Sequence, residues 1–264
     1  MENYIYSFYL RHKAYRLLTI NIMSQKTIKA GILIVALVVP ALIFLYLKGF
    51  GENHYELPYL IPRIDSTTGN IMMRKNPNPK WNQLEMDTVF HTIPVWTLTD
   101  ENGKAFNGES LKGKIYVADF FFTRCGSICP KMSSQLTRLQ DTFPKNDEVQ
   151  IASFSVDPTH DTPEELRKYA KEYDAKAGKW HFFTGTKTQI YPLAVKGYYV
   201  PVADASEYDK AVKTPNETFI HSEKLILIDK EGHIRGFYDG TDKKDVDKLI
   251  LEIRVLLKIY DIKS

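Results

Sequence analysis

The feature that most constrains the fold of this 264-residue chain is an uncharged apolar run, AGILIVALVVPALIFLYL, between Lys29 and Lys48. As a helix with a rise of 1.5 Å per residue, the run spans about 27 Å, close to the thickness of a hydrocarbon core. Pro40 lies within it, and membrane helices tolerate proline better than soluble helices do. We therefore predict a transmembrane anchor over residues 30–47. A cleaved signal peptide is the alternative, but no small-residue cleavage site follows the run.

The distribution of charge predicts how this anchor is oriented. Residues 1–47 hold five Lys and Arg and one acid, whereas the rest of the chain holds 30 basic and 31 acidic residues. The basic character is thus confined to the N-terminal segment, which argues against nucleic acid as a partner. By the positive-inside rule we predict a single-pass protein of the inner (cytoplasmic) membrane, with residues 1–29 cytoplasmic and residues 48–264 on the periplasmic side.

The chain has two cysteines, Cys125 and Cys129, in the sequence FFFTRCGSICPKM. Two cysteines exclude a multi-disulfide scaffold and a four-cysteine zinc site. In an oxidising compartment a nearby pair forms a disulfide unless a reductant or a metal prevents it. Pro130 suits the first turn of a helix, which places Cys129 near a helix N-terminus. There the helix dipole, together with Arg124 and Lys131, is expected to favour a thiolate.

The remaining pattern predicts an α/β fold. Residues 48–90 are rich in Pro, Asn and Gly and show no sustained period, so we interpret them as a tether and a lead-in that packs on the domain edge. In the predicted domain, residues 91–264, Asn102-Gly103 marks a hairpin, and apolar strand-like runs alternate with amphipathic helical patterns. The predicted strands are 115–122, 149–156, 180–185, 224–229 and 233–240, and the predicted helices are 130–143, one beginning at Thr162-Pro163, 188–196 and 242–260. This order predicts a central mixed sheet flanked by helices, with the cysteines at the carboxyl end of its first buried strand.

Three interpretations of the cysteine pair remain open from the residues alone. A structural disulfide would close a loop of only a few residues and would stabilise the fold little. A redox pair would exchange disulfides, although such enzymes usually have two residues between their cysteines, and here there are three. A metal site would use two thiolates as soft ligands for Cu(I), and a nearby imidazole would complete a three-coordinate site that also accepts Cu(II).

The residues resemble one family. The segments VWTLTDENGKAF, LKGKIYVADFFFTRCGSICP, SVDPTHDTPEELRKYA, WHFFTG and FIHSEKLILIDKEGHIRGFYDG are similar, in this order, to the SCO/SenC family of membrane-anchored, thioredoxin-like copper chaperones. The resemblance covers residues 90–260 and implies a thioredoxin-like fold and a copper ion bound by Cys125, Cys129 and His221. It further implies a carrier rather than an enzyme, which delivers copper to the binuclear copper site of cytochrome c oxidase subunit II. One departure is the absence of the Pro often found after the first cysteine.

The resemblance also implies roles for residues beside the ligands. The family's D-x3-D stretch matches Asp157 and Asp161, which we expect to lie next to the metal ligands and to orient them. Capping of the following helix is the alternative for Asp161. Among the seven histidines, His221 is favoured because it precedes KLILID, the strand expected beside the cysteine strand. We expect His160 to be a solvated loop residue, and we expect structural roles for His181, His233 and Met132.

A second function fits the same residues, namely a membrane-tethered thiol–disulfide oxidoreductase that reduces the cysteines of a client. In that case Cys125 and Cys129 form a redox disulfide. Both functions need a thiol reductant, since only thiolates bind copper, and a carrier also needs an upstream copper donor. However, no proline lies between Thr218 and Asp229, where thioredoxin-type oxidoreductases place a cis-proline facing the thiols.

Overall fold

The protein is described by a computed structural model that covers residue 25 and residues 27–46, 57–76, 85–144, 147–205, 214, 219–220 and 222–263. The chain separates into two units, Met1–Tyr55 and Glu56–Ser264. The described part of the first unit contains helix α1 (Thr27–Tyr46), whose 20 residues and mean hydropathy of 2.7 are sufficient, by length and composition, to cross a membrane. This helix contains the predicted apolar run except for residue 47, which lies outside the described residues.

The second unit contains eleven described strands and four described α-helices. The strands are β1 (Met73–Lys75), β2 (Met86–Thr88), β3 (Thr97–Asp100), β4 (Ala105–Asn107), β5 (Ile115–Phe121), β6 (Val149–Ser155), β7 (Trp180–Thr184), β8 (Ala203–Asp204), β9 (Phe219–Ile220), β10 (Lys224–Ile228) and β11 (Ile234–Asp239). The helices are α2 (Cys129–Thr142), α3 (Pro163–Glu172), α4 (Lys187–Pro192) and α5 (Lys243–Lys263), with a 3-10 turn at Gly108–Leu111 and a π-helical turn at Leu193–Gly197.

Seven strands form the predicted central mixed sheet, in the order β11-β10-β5-β6-β7-β3-β4. Strands β5, β6 and β7 are parallel, and antiparallel strands extend the sheet on both sides. Every residue of β5 and β6 is buried, as expected for continuous apolar strands at the centre of a sheet. Strand β10 pairs with β5, so KLILID lies beside the cysteine strand as predicted.

Aromatic side chains fill the space on both faces of this sheet. Phe120 and Phe121 are adjacent in β5 and therefore point to opposite faces. The ring of Phe121 packs 4.9 Å from Tyr169 of α3, and the Tyr169 hydroxyl lies 2.8 Å from Ser133 of α2. On the other face, the ring of Phe120 packs 5.5 Å from Tyr198, which follows the π-helical turn. Helical segments therefore cover both faces.

Local signals placed several elements correctly. The predicted hairpin joins β3 and β4, and Gly103 has a φ of 75°, a conformation that glycine adopts without steric cost. Thr162 caps α3 by accepting a hydrogen bond from the Glu165 amide, and Pro163 is the first residue of that helix. The predicted helix 188–196 was only partly right, because helical turns with different hydrogen bonding, α4 and the π-helical turn, divide it.

The lead-in is more regular than its sequence indicates. Strands β1 and β2 form a separate two-stranded sheet within the segment predicted as tether and lead-in. Three-residue strands are too short to show a hydrophobic period, so the pattern could not predict them. Leu57 is buried, and the Leu60 amide donates to the carbonyl of Ile234 at 3.4 Å, which ties the lead-in to the start of β11. The predicted domain boundaries themselves stay a prediction.

Candidate metal centre

The two cysteines lie at the carboxyl end of β5, where the chain turns into α2. Both are thiols and both are buried. Cys129 is the first residue of α2, and its amide donates a hydrogen bond to the Cys125 sulfur at 3.4 Å. The Ser127 hydroxyl lies 3.6 Å from the same sulfur. The three-residue spacing thus folds the pair into one turn, with the thiols adjacent to each other.

The electrostatics of the pair differ from the prediction of a thiolate at Cys129. A hydrogen bond with the Cys125 thiol, burial and the charge of Cys125 together raise the pKa of the Cys129 thiol well above its ordinary value. The predicted support from Arg124 is lacking because its guanidinium is paired with Asp157. Two adjacent buried sulfurs cannot both carry a negative charge at low cost, and this outweighs the helix dipole.

Asp157 contacts the cysteine loop through Arg124. The Arg124 Nη2 and Nε donate to Asp157 Oδ2 at 2.5 and 3.2 Å. Asp157 is buried, whereas the Arg124 side chain is 42% exposed. This ion pair joins the residue before Cys125 to the turn after β6.

Asp161 holds the same loop by binding Thr123, which lies two residues before Cys125. Its carboxylate is fully buried and accepts hydrogen bonds from the Thr123 amide at 3.1 Å, the Thr123 hydroxyl at 2.5 Å and the Ser155 hydroxyl at 2.5 Å. His160 Nδ1 lies 3.1 Å from the same carboxylate. The alternative role as a helix cap is wrong, because Thr162 caps α3.

Asp119 is a residue near the site that the sequence interpretation missed. It lies in the middle of β5, is completely buried, and accepts a hydrogen bond from the Ser153 hydroxyl at 2.5 Å. Burial raises the pKa of Asp119 to about 7, although the Ser153 hydrogen bond partly opposes it. The Asp119 charge in turn raises the pKa of the Cys129 thiol. An acid inside the apolar run IYVADFFF was the available signal.

The third expected ligand, His221, lies outside the described residues. The described residues on either side lie near the cysteine end of the central sheet. Before it, the ring of Phe219 packs 5.1 Å from Phe122. After it, β10 runs antiparallel to β5, with Ile226 opposite Ala118, so the start of β10 lies toward the carboxyl end of β5.

The other singled-out residues have the structural contacts that were expected of them. Met132 is fully buried in the core. His181 Nε2 lies 3.1 Å from Gln150 Oε1. The His233 amide donates to Asp229 Oδ1 at 2.9 Å in the turn between β10 and β11, which is at the opposite end of the sheet from the cysteines.

Comparisons with known proteins give one consistent family. A sequence model of the SCO1/SenC family matches residues 85–258. The SCO1 protein homolog of Bacillus subtilis (strain 168) is 32% identical over 170 residues, which is 64% of this chain and 84% of that protein. Two solved structures resemble the fold: BsSco, described as a member of the Sco family of cytochrome c oxidase assembly proteins, and Arabidopsis thaliana ScoI with copper bound.

Both structures match over most of their length. BsSco is 32% identical with a TM-score of 0.52, covering 62% of this chain and 92% of that chain. ScoI is 26% identical with a TM-score of 0.52, covering 64% of this chain and 99% of that chain. The mixed sheet flanked by helices is the thioredoxin-like fold of these structures. Since the family model spans more than half of its residues, the chain belongs to the SCO1/SenC family.

Proposed function

We propose that this protein is a membrane-anchored copper chaperone that delivers copper to the binuclear copper site of cytochrome c oxidase subunit II. The observation that carries the proposal is the pair of adjacent, buried thiols of Cys125 and Cys129 at the carboxyl end of β5. Thiolates are the soft ligands that select Cu(I). The copper-bound ScoI structure and the oxidase-assembly family of BsSco support the metal and the pathway.

The raised pKa of the Cys129 thiol is consistent with a metal site. Two adjacent thiolates repel each other when nothing lies between them, which is why the neighbouring Cys125 raises the Cys129 pKa. A Cu(I) ion held between the two sulfurs removes this repulsion and displaces the proton. The pair is therefore unfavourable as two bare thiolates and favourable as a cation site.

His221 is the proposed third ligand. Support comes from the two neighbouring elements, since Phe219 packs on Phe122 and β10 pairs with β5. An imidazole beside two thiolates adds a borderline nitrogen donor, which Cu(II) requires more than Cu(I) does. The proposed cargo is therefore Cu(I) or Cu(II), with the cysteines essential for both states and His221 chiefly for Cu(II).

Asp157 and Asp161 act in this proposal as positioning residues. Asp161 fixes the Thr123 amide and hydroxyl, and Asp157 fixes Arg124, so the two residues preceding Cys125 are both held by buried carboxylates. Ligands held in place by such contacts lose less conformational freedom when the metal binds. Copper would then leave by ligand exchange with a client rather than by unfolding of the loop.

The proposed location follows from helix α1 and the charge distribution. The helix would anchor the chain in the inner membrane with its basic N-terminal segment in the cytoplasm and the cysteine domain on the periplasmic side. A periplasmic location requires a thiol reductant, because an oxidising compartment converts adjacent thiols into a disulfide. An upstream copper donor and a reductant are thus the proposed partners besides subunit II.

A thiol–disulfide oxidoreductase that acts on client cysteines is the second candidate. The adjacency of the two thiols favours it, since the Cys129 amide lies 3.4 Å from the Cys125 sulfur. A disulfide switch has been identified in BsSco, which supports reversible disulfide chemistry in a relative. The two candidates differ in their need for an imidazole, because thiol exchange depends on thiolate and access alone.

The deciding experiment is a titration of the reduced full-length chain with Cu(I) against a chromophoric chelator. We expect one tightly bound Cu(I), and at least a thousandfold weaker binding in Cys125→Ala and in Cys129→Ala, since one thiolate leaves too few soft donors. Ser134→Ala, at an exposed position of α2, is the matched control and should bind as the wild type does. Full affinity in either cysteine variant would contradict the chaperone function.

His221→Ala separates the two candidate functions. We expect this variant to lose the thiolate-to-Cu(II) absorption band and to fail in oxidase maturation, while its Cys125–Cys129 disulfide is still reduced at the wild-type rate. If the variant matures the oxidase but Cys129→Ser does not, the oxidoreductase function is correct.

The proposed orientation has its own test. A reporter enzyme fused after residue 264 that is active only in the cytoplasm would overturn the proposed orientation.

A further inference from the structure

Two methionines on the surface of the lead-in have no role in the cysteine site. Methionine is among the residues most often buried, and Met132 in the core of this domain is fully buried. By contrast, Met73 in β1 and Met86 in β2 are 46% and 43% exposed. Exposed thioethers on a protein that handles a soft metal ion call for an explanation.

Their positions place both side chains on the same face of the β1–β2 sheet. Met73 pairs with Thr88, and Met86 pairs with Lys75. Because side chains two apart on a strand share a face, all four point the same way, and the two methionines are diagonal neighbours. Such neighbours lie about 7–8 Å apart at their Cα atoms, within reach of two long, flexible side chains.

As metal-binding atoms, this face of the β1–β2 sheet offers the two methionine sulfurs, which are soft donors. The Met73 sulfur accepts a hydrogen bond from the Thr88 hydroxyl at 3.7 Å, so it lies over β2, the strand that carries Met86. The exposed side chains beside the methionines are Ile64 and Ile71, which pair with each other, and Lys75, which pairs with Met86. A protonated Lys75 ammonium has no lone pair to offer a metal ion. The acid of β2, Asp87, points to the opposite face. Calcium and magnesium prefer oxygen donors and zinc prefers thiolate or imidazole, whereas thioethers select Cu(I).

We propose that Met73 and Met86 form a second Cu(I) site, separate from the cysteine site. The lead-in is attached at the opposite end of the domain, because Leu60 bonds to Ile234 beside the turn between β10 and β11. Its role is to hold Cu(I) weakly at the surface and to exchange it with a donor. The choice of copper rests on the proposed function, but the site does not depend on the cysteines.

The two sites differ in how protons compete with the metal. A thioether has no proton to lose, so Cu(I) binding at Met73 and Met86 should not change between pH 6 and pH 8. It should also persist when the cysteines form a disulfide, which has no thiolate to offer. Neutral ligands make the methionine site much weaker than the pair of thiolates.

The test uses the full-length chain in its disulfide form, titrated anaerobically with Cu(I) supplied as its acetonitrile complex. We expect one Cu(I) bound, with sulfur scatterers in its X-ray absorption spectrum. Met73→Leu and Met86→Leu should each weaken binding at least tenfold. Met72→Leu, at the residue immediately before β1, and Met132→Leu, in the core, should leave it unchanged. Leucine matches methionine in volume, so exposed variants keep the fold, as circular dichroism would confirm.

Each result decides the inference separately from the chaperone function. Equal binding in the wild type and in both variants, Met73→Leu and Met86→Leu, would overturn the methionine site, as would a spectrum with only nitrogen or oxygen scatterers. If the reduced chain shows no tight site but the disulfide form binds Cu(I) through the methionines, the chaperone function fails and the inference stands. If the reduced chain has a tight site but the disulfide form binds no Cu(I), the inference is rejected and the chaperone function stands.

Discussion

Each end of the central sheet holds a buried aspartate paired with an arginine, but the two pairs differ in exposure. At the end away from the cysteines, the side chains of Asp229 and Arg235 are 0% and 5% exposed. At the cysteine end, Asp157 is similarly buried while Arg124 is 42% exposed. Water can therefore solvate the charge of Arg124, whereas the charge of Arg235 depends on protein contacts.

The partners of each aspartate extend this difference. Asp229 accepts hydrogen bonds from the Glu231 and His233 amides and from Arg235. Burial acts to raise the Asp229 pKa, but the hydrogen bonds from His233 and Arg235 outweigh it and lower the pKa below its ordinary value. Arg235 also donates to the carbonyl of Pro58, which ties down the lead-in. Thus the pair Asp229–Arg235 belongs to a closed network, whereas the pair Asp157–Arg124 at the cysteine end is open to water.

Removing Arg235 from the closed network should lower the free energy of unfolding more than any other change considered below. Arg235→Met leaves Asp229 buried without its charged partner, and such changes typically cost about 3–5 kcal/mol. Arg124→Met also removes the partner of a buried aspartate, but water can take the place of its half-exposed guanidinium, so we expect a smaller loss of about 1 kcal/mol. Urea unfolding of both variants in the full-length chain measures the difference. Equal losses of stability would show that the exposure of Arg124 does not lower the cost of breaking its ion pair, and would contradict the comparison.

Asp119, a buried acid near the cysteines, gives a second prediction. Its pKa is raised to about 7 from an ordinary value of 3.8. Between these values the unfolded chain has lost the proton while the folded chain keeps it, so stability falls as the pH rises from 4 to 7. At about 1.4 kcal/mol per pKa unit, the ionised form costs roughly 4 kcal/mol above pH 7.

Asp119→Asn should remove most of this dependence. The amide has no proton to lose and can still accept the hydrogen bond from Ser153. We expect the variant to be more stable than the wild type at pH 8 by about 2–4 kcal/mol and similar to it at pH 4. Thermal unfolding across that range is the measurement. A variant that is less stable at pH 8 would show that Asp119 is stabilised by contacts as a carboxylate.

The sequence predicted the scaffold because its signals are local. The continuous apolar run of β5, the Asn102-Gly103 turn and the Thr162 cap each depend on residues close in the chain. The place of the cysteines followed from the order of elements, since open α/β sheets put their sites at the carboxyl ends of strands. The fold of the domain could therefore be predicted before any contact was known.

The contacts around the cysteines could not be predicted in the same way. Asp161 bonds to Thr123, 38 residues away, and Arg124 pairs with Asp157, 33 residues away. No local pattern distinguishes an acid that caps a helix from one that holds a distant loop. The prediction of a thiolate at Cys129 differs from the structure for a related reason. The pKa of this thiol depends on the neighbouring sulfur and on burial rather than on the helix end alone.

Asp161 gives a third prediction, which separates the loop from the rest of the cysteine end. Asp161→Ala leaves the Thr123 amide and the Ser155 hydroxyl without their buried acceptor. Such losses typically cost about 1–3 kcal/mol. We also expect faster release of Cu(I), because the residues before Cys125 are no longer held.

Asp161→Asn is the matched control for this variant. The amide oxygen retains one acceptor and fills the same volume, so most of the stability should return. Copper release measured by stopped-flow with a competing chelator distinguishes loop positioning from stability. If Asp161→Ala is destabilised but releases Cu(I) at the wild-type rate, Asp161 supports the fold without positioning the cysteines.

The smallest expected effect is the pH dependence of Cu(I) affinity at the cysteines. The raised pKa of the Cys129 thiol means that this residue carries a proton through the neutral range, and Cu(I) must displace it. Raising the pH therefore strengthens binding, by tenfold per unit for this one proton, or about 1.4 kcal/mol. Chelator competition with the reduced chain at pH 6, 7 and 8 should show at least this slope. The disulfide form, in which binding is assigned to Met73 and Met86, should show none over the same range. A flat profile in the reduced chain would mean that Cys129 binds no copper, or binds it already deprotonated, and the cysteine pair would then not behave as the two mutually repelling thiols described above.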